Sequence, residues 1–556
     1  MTTSFFNGER IVLLFFISRI LYSLPISLLS HGVSLSLIAL AAFLLEIAVD
    51  SSISPFPLRT RPGASSGILL GAITLPSLIL SKLIQSSRGF GFSLQQLQPQ
   101  EIEYLTLQYW AISASVFSVL LFLALNLRRT HWGLRFSFCL IFIQAVLCVV
   151  ALLTTSQIGL HPVLKLSWVF FHGLASVKLI QHFMRTFPSC ASIGEAFLVT
   201  AGIVLYFGDM LLLTIKKLCG LLVSSELDTA DEIKRSEINI IIQGLVLGLL
   251  LYPIALKYIL QIWEWLMNTI YSEQKRYYEI GRSLIFIVSL GLALIVFVPL
   301  WMQFVQEFDM HPFFWVLSFV FSEPSKRLSL CIYWMCIISV SVLRFYTISK
   351  NSKIERILLR KYYHLIAVLM FSPALIFQPK FLDLAFGAAL AVFLILEIIR
   401  VWRIWPFGQP INQFMNAFTD HRDSDLLIVS HFSLLLGCAL PIWLSSGYND
   451  RPLAPFAGIL SLGIGDTMAS MVGYKYGVLR WSKTGKKTVE GTAAGITSVL
   501  AACSLLLPLL ASAGYIFTQH WFSLLLAVTA SGLLEAYTAQ LDNAFIPLFF
   551  YSLLCL

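Results

Sequence analysis

The sequence predicts an all-α polytopic membrane protein with about 15–17 transmembrane helices, since a spanning helix needs roughly 20 apolar residues. Three observations predict this class. Of the 556 residues, 58% are hydrophobic and 12% are charged, whereas soluble domains carry about 25% charged residues. The mean hydropathy is +0.82. Apolar runs of spanning length recur from Ile11 to the C-terminus. The membrane is therefore the first predicted partner.

The net charge of +9 does not indicate a nucleic-acid partner. Lysine and arginine collect in the cytoplasmic loops of membrane proteins, and no basic stretch of domain size lies outside the apolar runs. The nine cysteines lie mostly within apolar runs and lack the spacing of metal ligands. Neither feature favours a nucleic-acid-binding protein or a cysteine metal site.

Polar density divides the chain into two predicted regions. Residues 1–350 read as a multi-span membrane region with ordinary polar loops. Its largest polar interruption, Ser224–Glu237, is predicted to be a solvated loop or surface helix. Residues 351–556 combine apolar spans with recurring charged segments, and we expect the catalytic domain there.

The charges of the loops predict which side of the membrane the second region uses. Its basic loops are Lys353–Lys361, Arg400–Arg422 and Lys475–Lys487. Two predicted spans separate each loop from the next, so all three face one compartment. The positive-inside rule makes that compartment the cytosol. Two further spans return Glu535–Asn543 to the same side, where these acids can converge with Asp466.

A glycine stripe precedes the third basic loop. Small residues recur every four positions at Gly465, Ala469, Gly473 and Gly477. On a helix such residues form one smooth face against which another helix backbone packs closely. The segment is predicted to be a tightly packed helix that leads into the loop.

Asp466 is the acid that this helix carries. A charged residue inside a span costs about 2.5–3.5 kcal/mol on insertion scales, so its presence needs a reason. It lies ~12 Å along the helix from the loop, within reach of water in a cavity. Either it binds a ligand or it hydrogen-bonds to a neighbouring helix. The small residues Gly463, Gly465 and Ser470 around it favour a ligand.

A second acidic group follows near the C-terminus. Glu535, Thr538 and Asp542 are spaced i, i+3, i+7 and are predicted to share one helical face. Two acids on one face repel each other unless a cation lies between them. Mg²⁺ fits, because it favours one or two carboxylates together with substrate phosphates. The alternative is a helix cap or an acid paired to lysine or arginine.

The third basic loop, Lys475–Lys487, invites comparison with a P-loop, but the comparison fails. A P-loop requires glycine where Arg480 stands and serine or threonine where Lys487 stands. Phosphate binding would instead use lysine charges and backbone N–H groups near a helix start. The alternative is that these lysines only anchor the loop at the membrane surface.

Three further polar features lie in the same half of the chain. His364 follows the basic pair Arg360-Lys361 at the start of a span, where it is either an interfacial histidine or part of a site. Glu397 stands three residues before Arg400, and we expect the two to pair. The dense segment Asp420–Asp425 either positions a nucleotide or metal or caps the following helix.

Taken in order, these motifs resemble one family, the dolichol kinases of the endoplasmic reticulum. The resemblance rests on RKYYH, LEIIR, DHRDSD, GIGDTMAS, KKTVEG and LLEAYTAQLDN, and covers about residues 355–550. The first 350 residues resemble the family only in forming a long multi-span region.

The resemblance implies CTP-dependent phosphorylation of dolichol to dolichyl phosphate, the lipid carrier for protein glycosylation, mannosylation and glycosylphosphatidylinositol synthesis. It implies a multi-pass protein of the endoplasmic reticulum membrane, with a CTP-binding loop at residues 474–490 facing the cytosol and Mg²⁺ or another divalent cation as cofactor. The expected catalytic residues are Asp466, Asp542, Glu535 and His364, with Asp466 and Asp542 also holding the metal. The expected CTP-binding residues are Gly473, Tyr474, Gly477, Lys483, Lys486, Lys487, Thr488, Glu490 and Gly491.

Two other classes stay open. Another CTP-using lipid enzyme, a phytol or polyprenol kinase or a CDP-lipid cytidylyltransferase, would share the scaffold. A cytidylyltransferase would attack the α-phosphate and release pyrophosphate. A transporter would also explain many spans and buried acids, but transporters more often show internal repeats and interrupted helices in both halves.

Overall fold

The fold is α-helical, as predicted. The computed structural model describes residues 7–50, 60–61, 65–90, 99–126, 132–154, 162–222, 235–268, 275–351, 356–416, 429–445, 449–481, 487–514 and 520–556. Within these ranges no strand occurs, and nine helices are long and apolar enough to cross a membrane. Five shorter apolar helices accompany them there. The protein is therefore a polytopic helical membrane protein.

Twenty α-helices occur in the described residues. In chain order the α-helices are α1 (Gly8–Tyr22), α2 (Leu29–Asp50), α3 (Ile68–Phe90), α4 (Pro99–Asn126), α5 (Trp132–Thr154), α6 (Pro162–Thr186), α7 (Ile193–Leu222), α8 (Glu237–Asn268), α9 (Lys275–Leu292), α10 (Val298–Val305), α11 (Pro312–Ser322), α12 (Pro324–Asn351), α13 (Arg356–Phe377), α14 (Pro379–Trp402), α15 (Gly408–Asn416), α16 (Val429–Leu444), α17 (Thr467–Tyr476), α18 (Val489–Ser512), α19 (Trp521–Tyr537) and α20 (Asp542–Leu554). A π-helical segment, Ile459–Asp466, leads directly into α17.

The chain forms two compact units. Unit A comprises Met1–Leu205, Ile337–Ile376 and Leu436–Leu556, and unit B comprises Tyr206–Cys336 and Phe377–Leu435. These units do not follow the boundary near residue 350 that polar density indicates. Unit A instead joins N-terminal helices to the C-terminal ones. The assignment of catalysis to residues 351–556 stays a prediction.

Helix α20 lies at the centre of unit A. Nearly all of its side chains are buried, and it packs against α3, α19 and the π-helical segment. Phe16 of α1 contacts Phe549 with ring centroids 4.3 Å apart, and Ser81 of α3 hydrogen-bonds to Ser552 at 2.6 Å. N-terminal helices therefore pack against the last helix, whose first residue is one of the predicted site acids.

Unit B contains the predicted ion pair. Arg400 donates to Glu397 on α14 at 2.6 and 2.8 Å, with both side chains buried. Helix α14 packs against α8, and a Cβ atom added to Gly387 would lie 2.6 Å from Ile242. The expectation that Glu397 pairs with Arg400 is confirmed.

Candidate active site

The site begins where α13 meets the π-helical segment. A Cβ atom added to Gly463 would lie 2.3 Å from a methyl group of Val368, so a glycine is needed for this approach. His364 on α13 reaches across, with its Nδ1 3.1 Å from the carbonyl oxygen of Leu462. π-Helical segments next to α-helices are rare and are frequently found at functional sites. This one ends at Asp466.

Asp466 is held by α13 on one side and by its own helix on the other. Its side chain is buried, with 3% of the residue surface exposed. Lys361 Nζ donates to Oδ2, and His364 Nδ1 lies 3.2 Å from the same oxygen. Ser470 Oγ donates to Oδ1 at 3.5 Å. Asp466 therefore bonds to a neighbouring helix, and the groups it meets there are a lysine and a histidine.

The other two acids lie in the same charge cluster. Glu535 stands in the last turn of α19, and Asp542 is the first residue of α20. Lys361 interacts electrostatically with both of them as well as with Asp466. Lys487 interacts electrostatically with Glu535, and its Nζ donates to the backbone carbonyl of that residue. We call Lys361, Asp466, Lys487, Glu535 and Asp542 the acidic centre.

The predicted shared helical face of Glu535, Thr538 and Asp542 is wrong. Helix α19 ends at Tyr537, Thr538 is extended with φ −75° and ψ 141°, and Asp542 opens a new helix. The helix breaks because the intervening backbone bonds to side chains elsewhere in unit A; Leu541 N, for example, donates to Glu195 at 2.8 Å. The two acids come together through a turn.

The glycine stripe packs α17 against α18. A Cβ atom on Gly491 would lie 2.5 Å from the carbonyl oxygen of Ala469, and one on Gly495 would lie 3.0 Å from that of Gly465. The stripe is shorter than the spacing predicts, since α17 ends at Tyr476 and Gly477 is an extended residue beyond it. Close backbone packing is confirmed, and it fixes the start of α18 beside the end of α17.

Three local bonds hold the start of α18. Thr488 caps the helix, its Oγ1 accepting from Gly491 N at 3.2 Å. Val489 N donates to the carbonyl oxygen of Leu479 at 2.8 Å. The Glu490 carboxylate accepts from Leu479 N at 3.0 and 3.2 Å. Glu490 therefore holds the backbone at Leu479 against the start of α18.

Three aromatic side chains lie in the described segment 474–481. Trp481 packs edge-on against Tyr537 with centroids 5.1 Å apart, and its Nε1 donates to Thr492 at 2.9 Å. Tyr474 and Tyr476 are 63% and 61% exposed. Tyr474 was among the predicted CTP-binding residues and Trp481 was not, although Trp481 stands within a run of basic residues in the sequence.

The structure does not describe every predicted residue. Lys483, Lys486 and Asp420–Asp425 lie outside the described residues, as does most of Ser224–Glu237. Gly473, which the resemblance assigns to CTP binding, contacts the α18 start: a Cβ atom there would lie 2.8 Å from Thr488 Oγ1. Lys361 was predicted only as part of the basic loop that sets the topology, although its spacing three residues before His364 gave a signal.

The acidic centre has the donor atoms that a magnesium–nucleotide complex needs. Within the part of the chain that the structure describes, no three histidine, cysteine or acidic side chains form a metal cage. Mg²⁺ seldom uses such cages, because it takes one or two carboxylates and completes its shell with water and substrate phosphates. The carboxylates of Asp466 and Asp542 fit that requirement.

Comparison with known proteins assigns the family. The model of the dolichol kinase family matches residues 163–441, half of the chain. The chain is 61% identical to dolichol kinase EVAN of Arabidopsis thaliana over 100% of its own length and 99% of the relative's. The chain belongs to the dolichol kinase family. As a member it is a membrane-embedded lipid kinase.

More distant members align over a smaller part. The human dolichol kinase is 38% identical over 44% of this chain and 47% of its own length. The Saccharomyces cerevisiae enzyme is 33% identical over 43% of this chain and 44% of its own. No solved structure matches the chain. Because the family match begins at residue 163, similarity to dolichol kinases extends into the region before residue 350.

Proposed function

We propose that this protein transfers the γ-phosphate of CTP to the terminal hydroxyl of dolichol at the cytosolic face of the endoplasmic reticulum. The products are dolichyl phosphate, the carrier for glycosylation, mannosylation and glycosylphosphatidylinositol synthesis, and CDP. One observation carries the proposal: three carboxylates and two lysines meet at the ends of α13, α17, α18, α19 and α20.

The chemistry suits such a cluster. In phosphoryl transfer the protein does little covalent work, and it acts by positioning the reactants and stabilising charge on the phosphate oxygens. Lys361 and Lys487 supply positive charge beside the acids. The lipid oxygen forms a bond to the γ-phosphorus while the bond from that phosphorus to the bridging oxygen of CDP breaks. CDP leaves with the electron pair of that bond.

Asp466 is the proposed acceptor of the hydroxyl proton. Its Oδ2 is already in hydrogen-bonding contact with Lys361 and 3.2 Å from His364. These neighbours orient the carboxylate and offer a route for the proton away from the reacting oxygen. A general base must lie within hydrogen-bond reach of the proton that it takes, so we place the lipid hydroxyl beside this carboxylate.

Mg²⁺, or another divalent cation, is the proposed cofactor. Asp466 and Asp542 would hold it, and it would neutralise charge on the CTP phosphates. This leaves Glu535 to balance the charge of Lys487, with which it interacts.

The loop at residues 474–490 is the proposed CTP site. The charges of Lys483, Lys486 and Lys487 would hold the phosphates, whereas the N–H groups of Val489 and Gly491 at the start of α18 already bond to Leu479 O and Thr488 Oγ1. The exposed face of Tyr474 and the indole of Trp481 offer stacking surfaces for the cytosine ring. Glu490 accepts from Leu479 N in the loop and Thr488 accepts from Gly491 N in α18, and these bonds support a role for both residues in shaping the site.

The alternatives differ in which bond breaks or which alcohol accepts. A phytol or polyprenol kinase would use the same charges on another alcohol. A CDP-lipid cytidylyltransferase would attack the α-phosphate of CTP and release pyrophosphate. Both fit the acidic centre, and the family membership favours the dolichol kinase.

The test uses vesicles that contain the full chain, dolichol, Mg²⁺ and CTP labelled in either the γ- or the α-phosphate. The proposal expects label on the lipid from γ-labelled CTP, with CDP as the second product. Label from the α position with pyrophosphate release would replace the kinase by a cytidylyltransferase. Transfer to phytol but not to dolichol would make phytol the acceptor alcohol in place of dolichol. No transfer from either label would overturn the enzyme assignment.

A further inference from the structure

The turn between the two C-terminal acids is gripped by the N-terminal part of unit A. Its residues 538–541 connect Glu535 at the end of α19 to Asp542 at the start of α20. The turn has no repeating backbone pattern of its own, so its shape depends on the groups that bond to it. Those groups come from α1, from the chain before α3 and from the start of α7.

Glu195 makes the central contacts. Its residue surface is 2% exposed. Oε1 accepts from Leu541 N at 2.8 Å and from Arg61 Nη2 at 2.5 Å. Arg61 also donates to the carbonyl oxygen of Ala539 at 3.1 Å. One carboxylate and one guanidinium thus bond to both a donor and an acceptor of the turn backbone.

A capping box fixes Glu195 itself. Ser192 N donates to Glu195 Oε2 at 2.8 Å, while Glu195 N donates to Ser192 Oγ at 3.1 Å. In this motif serine and glutamate satisfy each other's backbone N–H groups at a helix start. The carboxylate is therefore locked to the first turn of α7, and its second oxygen is directed at residue 541.

The side chain of Gln540 completes the grip. It is 2% exposed, its Nε2 donates to Ser65 O and Oγ at 3.0 and 2.9 Å, and its Oε1 accepts from Ser192 Oγ. Gly67, at φ +62°, leaves room for it, since a Cβ atom there would lie 2.5 Å from its amide carbon. We call Arg61, Ser65, Ser192, Glu195 and Gln540 the turn clamp.

Helix α1 contacts the other end of the turn. Thr538 Oγ1 donates to Glu9 at 3.3 Å and accepts from Gln540 N at 3.1 Å. A Cβ atom on Gly8 would lie 2.2 Å from the ring of Tyr537, so α1 begins directly against that ring. The backbone that enters the turn is therefore held as closely as the backbone that leaves it.

We propose that Glu195 is a positioning residue, which sets Asp542 relative to Glu535 and Asp466 through the turn clamp. The proposal rests on the phosphoryl transfer proposed above and gives the N-terminal region a part in it. Removing a side chain that orients a metal-binding carboxylate typically lowers metal affinity or activity by about 10–100-fold. A structural role alone would lower stability and leave metal dependence unchanged.

Glu46 provides a matched control. It is also a buried glutamate of the N-terminal region, its Oε2 accepts from Leu69 N at 2.8 Å, and its Oε1 accepts from Arg10 Nε at 2.8 Å. Glu195→Gln and Glu46→Gln therefore lose the same kinds of bonds. Only Glu195 bonds to residues 538–541 among these two.

The experiment measures both variants as purified full-length protein in lipid–detergent micelles. The first readout is the Mg²⁺ midpoint, the Mg²⁺ concentration that gives half of the rise in melting temperature in the presence of CTP. This measurement requires no turnover. The second is the kcat and the KM for CTP. For Glu195→Gln we expect the Mg²⁺ midpoint to rise about tenfold and kcat to fall about tenfold, with KM within about twofold. Glu46→Gln should lower the melting temperature and keep the Mg²⁺ midpoint.

Equal Mg²⁺ midpoints and equal kcat values in the two variants would overturn the positioning role. A wild-type protein that transfers no phosphate would instead contradict the proposed function, and the Mg²⁺ midpoints would still decide whether Glu195 sets the acids. If Glu195→Gln does not fold, Gln540→Met tests the same clamp without removing a charge. It should shift the Mg²⁺ midpoint in the same direction by a smaller factor, and no shift would count against the clamp.

Discussion

The acidic centre and the turn clamp are both polar clusters of unit A, yet their charges are arranged differently. In the clamp, one carboxylate meets one guanidinium, and each oxygen of Glu195 accepts from a defined donor. In the acidic centre, three carboxylates share two lysines. Asp466 is buried and the other two acids are half-buried, and an excess of negative charge in such a place is costly unless a cation compensates it. The balanced cluster therefore holds the chain, and the unbalanced one is suited to bind a cation with its phosphates.

The largest effect should come from Asp466→Asn. The amide keeps the shape of the side chain but loses the charge that faces Lys361 and His364. We expect γ-phosphate transfer per folded molecule to fall by about 10³-fold, the scale found when one electrostatic group of an active site is removed. The rate of label transfer to the lipid measures it.

Glu397→Gln is the control for this substitution. Glu397 is a buried carboxylate paired to a cation, as Asp466 is, but it lies in unit B and outside the acidic centre. Both variants should lose stability, and only Asp466→Asn should lose transfer. An Asp466→Asn protein with more than about a tenth of wild-type turnover would remove this residue from the chemistry.

Gly491→Ala should come next, as a test of packing next to the site. The added methyl would lie 2.5 Å from the carbonyl oxygen of Ala469, and overpacking of this kind costs about 1–3 kcal/mol. The thermal midpoint should fall, and the transfer rate should fall with it because the start of α18 moves.

Gly202→Ala on α7 is the matched change, since a methyl there would have its nearest neighbour at 4.0 Å. It should leave the thermal midpoint unchanged or raise it. Similar losses in both variants would mean that glycine content, and not the α17–α18 contact, sets the stability.

Lys487→Ala should have an intermediate effect, mainly on the KM for CTP. Its ammonium lies beside Glu535 and donates to the backbone at the end of α19. We expect the KM for CTP to rise about tenfold, equivalent to about 1.4 kcal/mol, with a smaller change in kcat. The exposed Lys475, which lies 5.1 Å from the ring centre of Tyr476, is the control lysine. Equal KM values for the two alanine variants would place phosphate binding elsewhere.

Glu490→Gln should have the smallest effect. It tests whether the Glu490 carboxylate acts only as a hydrogen-bond acceptor or takes part in the reaction through its charge. The amide oxygen can still accept from Leu479 N, which the carboxylate does now at 3.0 Å. Activity should stay within about threefold of wild type, because the hydrogen bond is retained. A loss as large as that of Asp466→Asn would show that the charge of Glu490 takes part in the chemistry.

Local patterns in the sequence predicted the parts of the fold that depend on neighbouring residues. The spacing of Gly465, Ala469 and Gly473 predicted the close helix contact, and the i, i+3 spacing predicted the pair of Glu397 and Arg400. Apolar runs of spanning length predicted the helical membrane class, which the nine long apolar helices of the described residues confirm.

The parts that depend on distant residues were not predictable. The pair of Lys361 with Asp466 joins residues far apart in sequence, and the spacing of Lys361 three residues before His364 was its one local signal. The break at Thr538 depends on bonds that Glu9, Arg61 and Glu195 make to the turn. The helical spacing of the acids therefore wrongly predicted one continuous helix. Tertiary hydrogen bonds overrode local periodicity at the turn that sets the acids.

The most direct measurement asks whether the acidic centre holds the metal–nucleotide complex. Mn²⁺ added to the purified full-length protein would be followed by electron paramagnetic resonance, with and without CTP, in wild type, Asp466→Asn and Glu397→Gln. We expect CTP to produce a bound-Mn²⁺ signal in wild type and in Glu397→Gln. In Asp466→Asn we expect Mn²⁺ to bind about tenfold more weakly, or weaker still. Unchanged Mn²⁺ binding in Asp466→Asn would contradict the assignment of this cluster as the phosphoryl-transfer site.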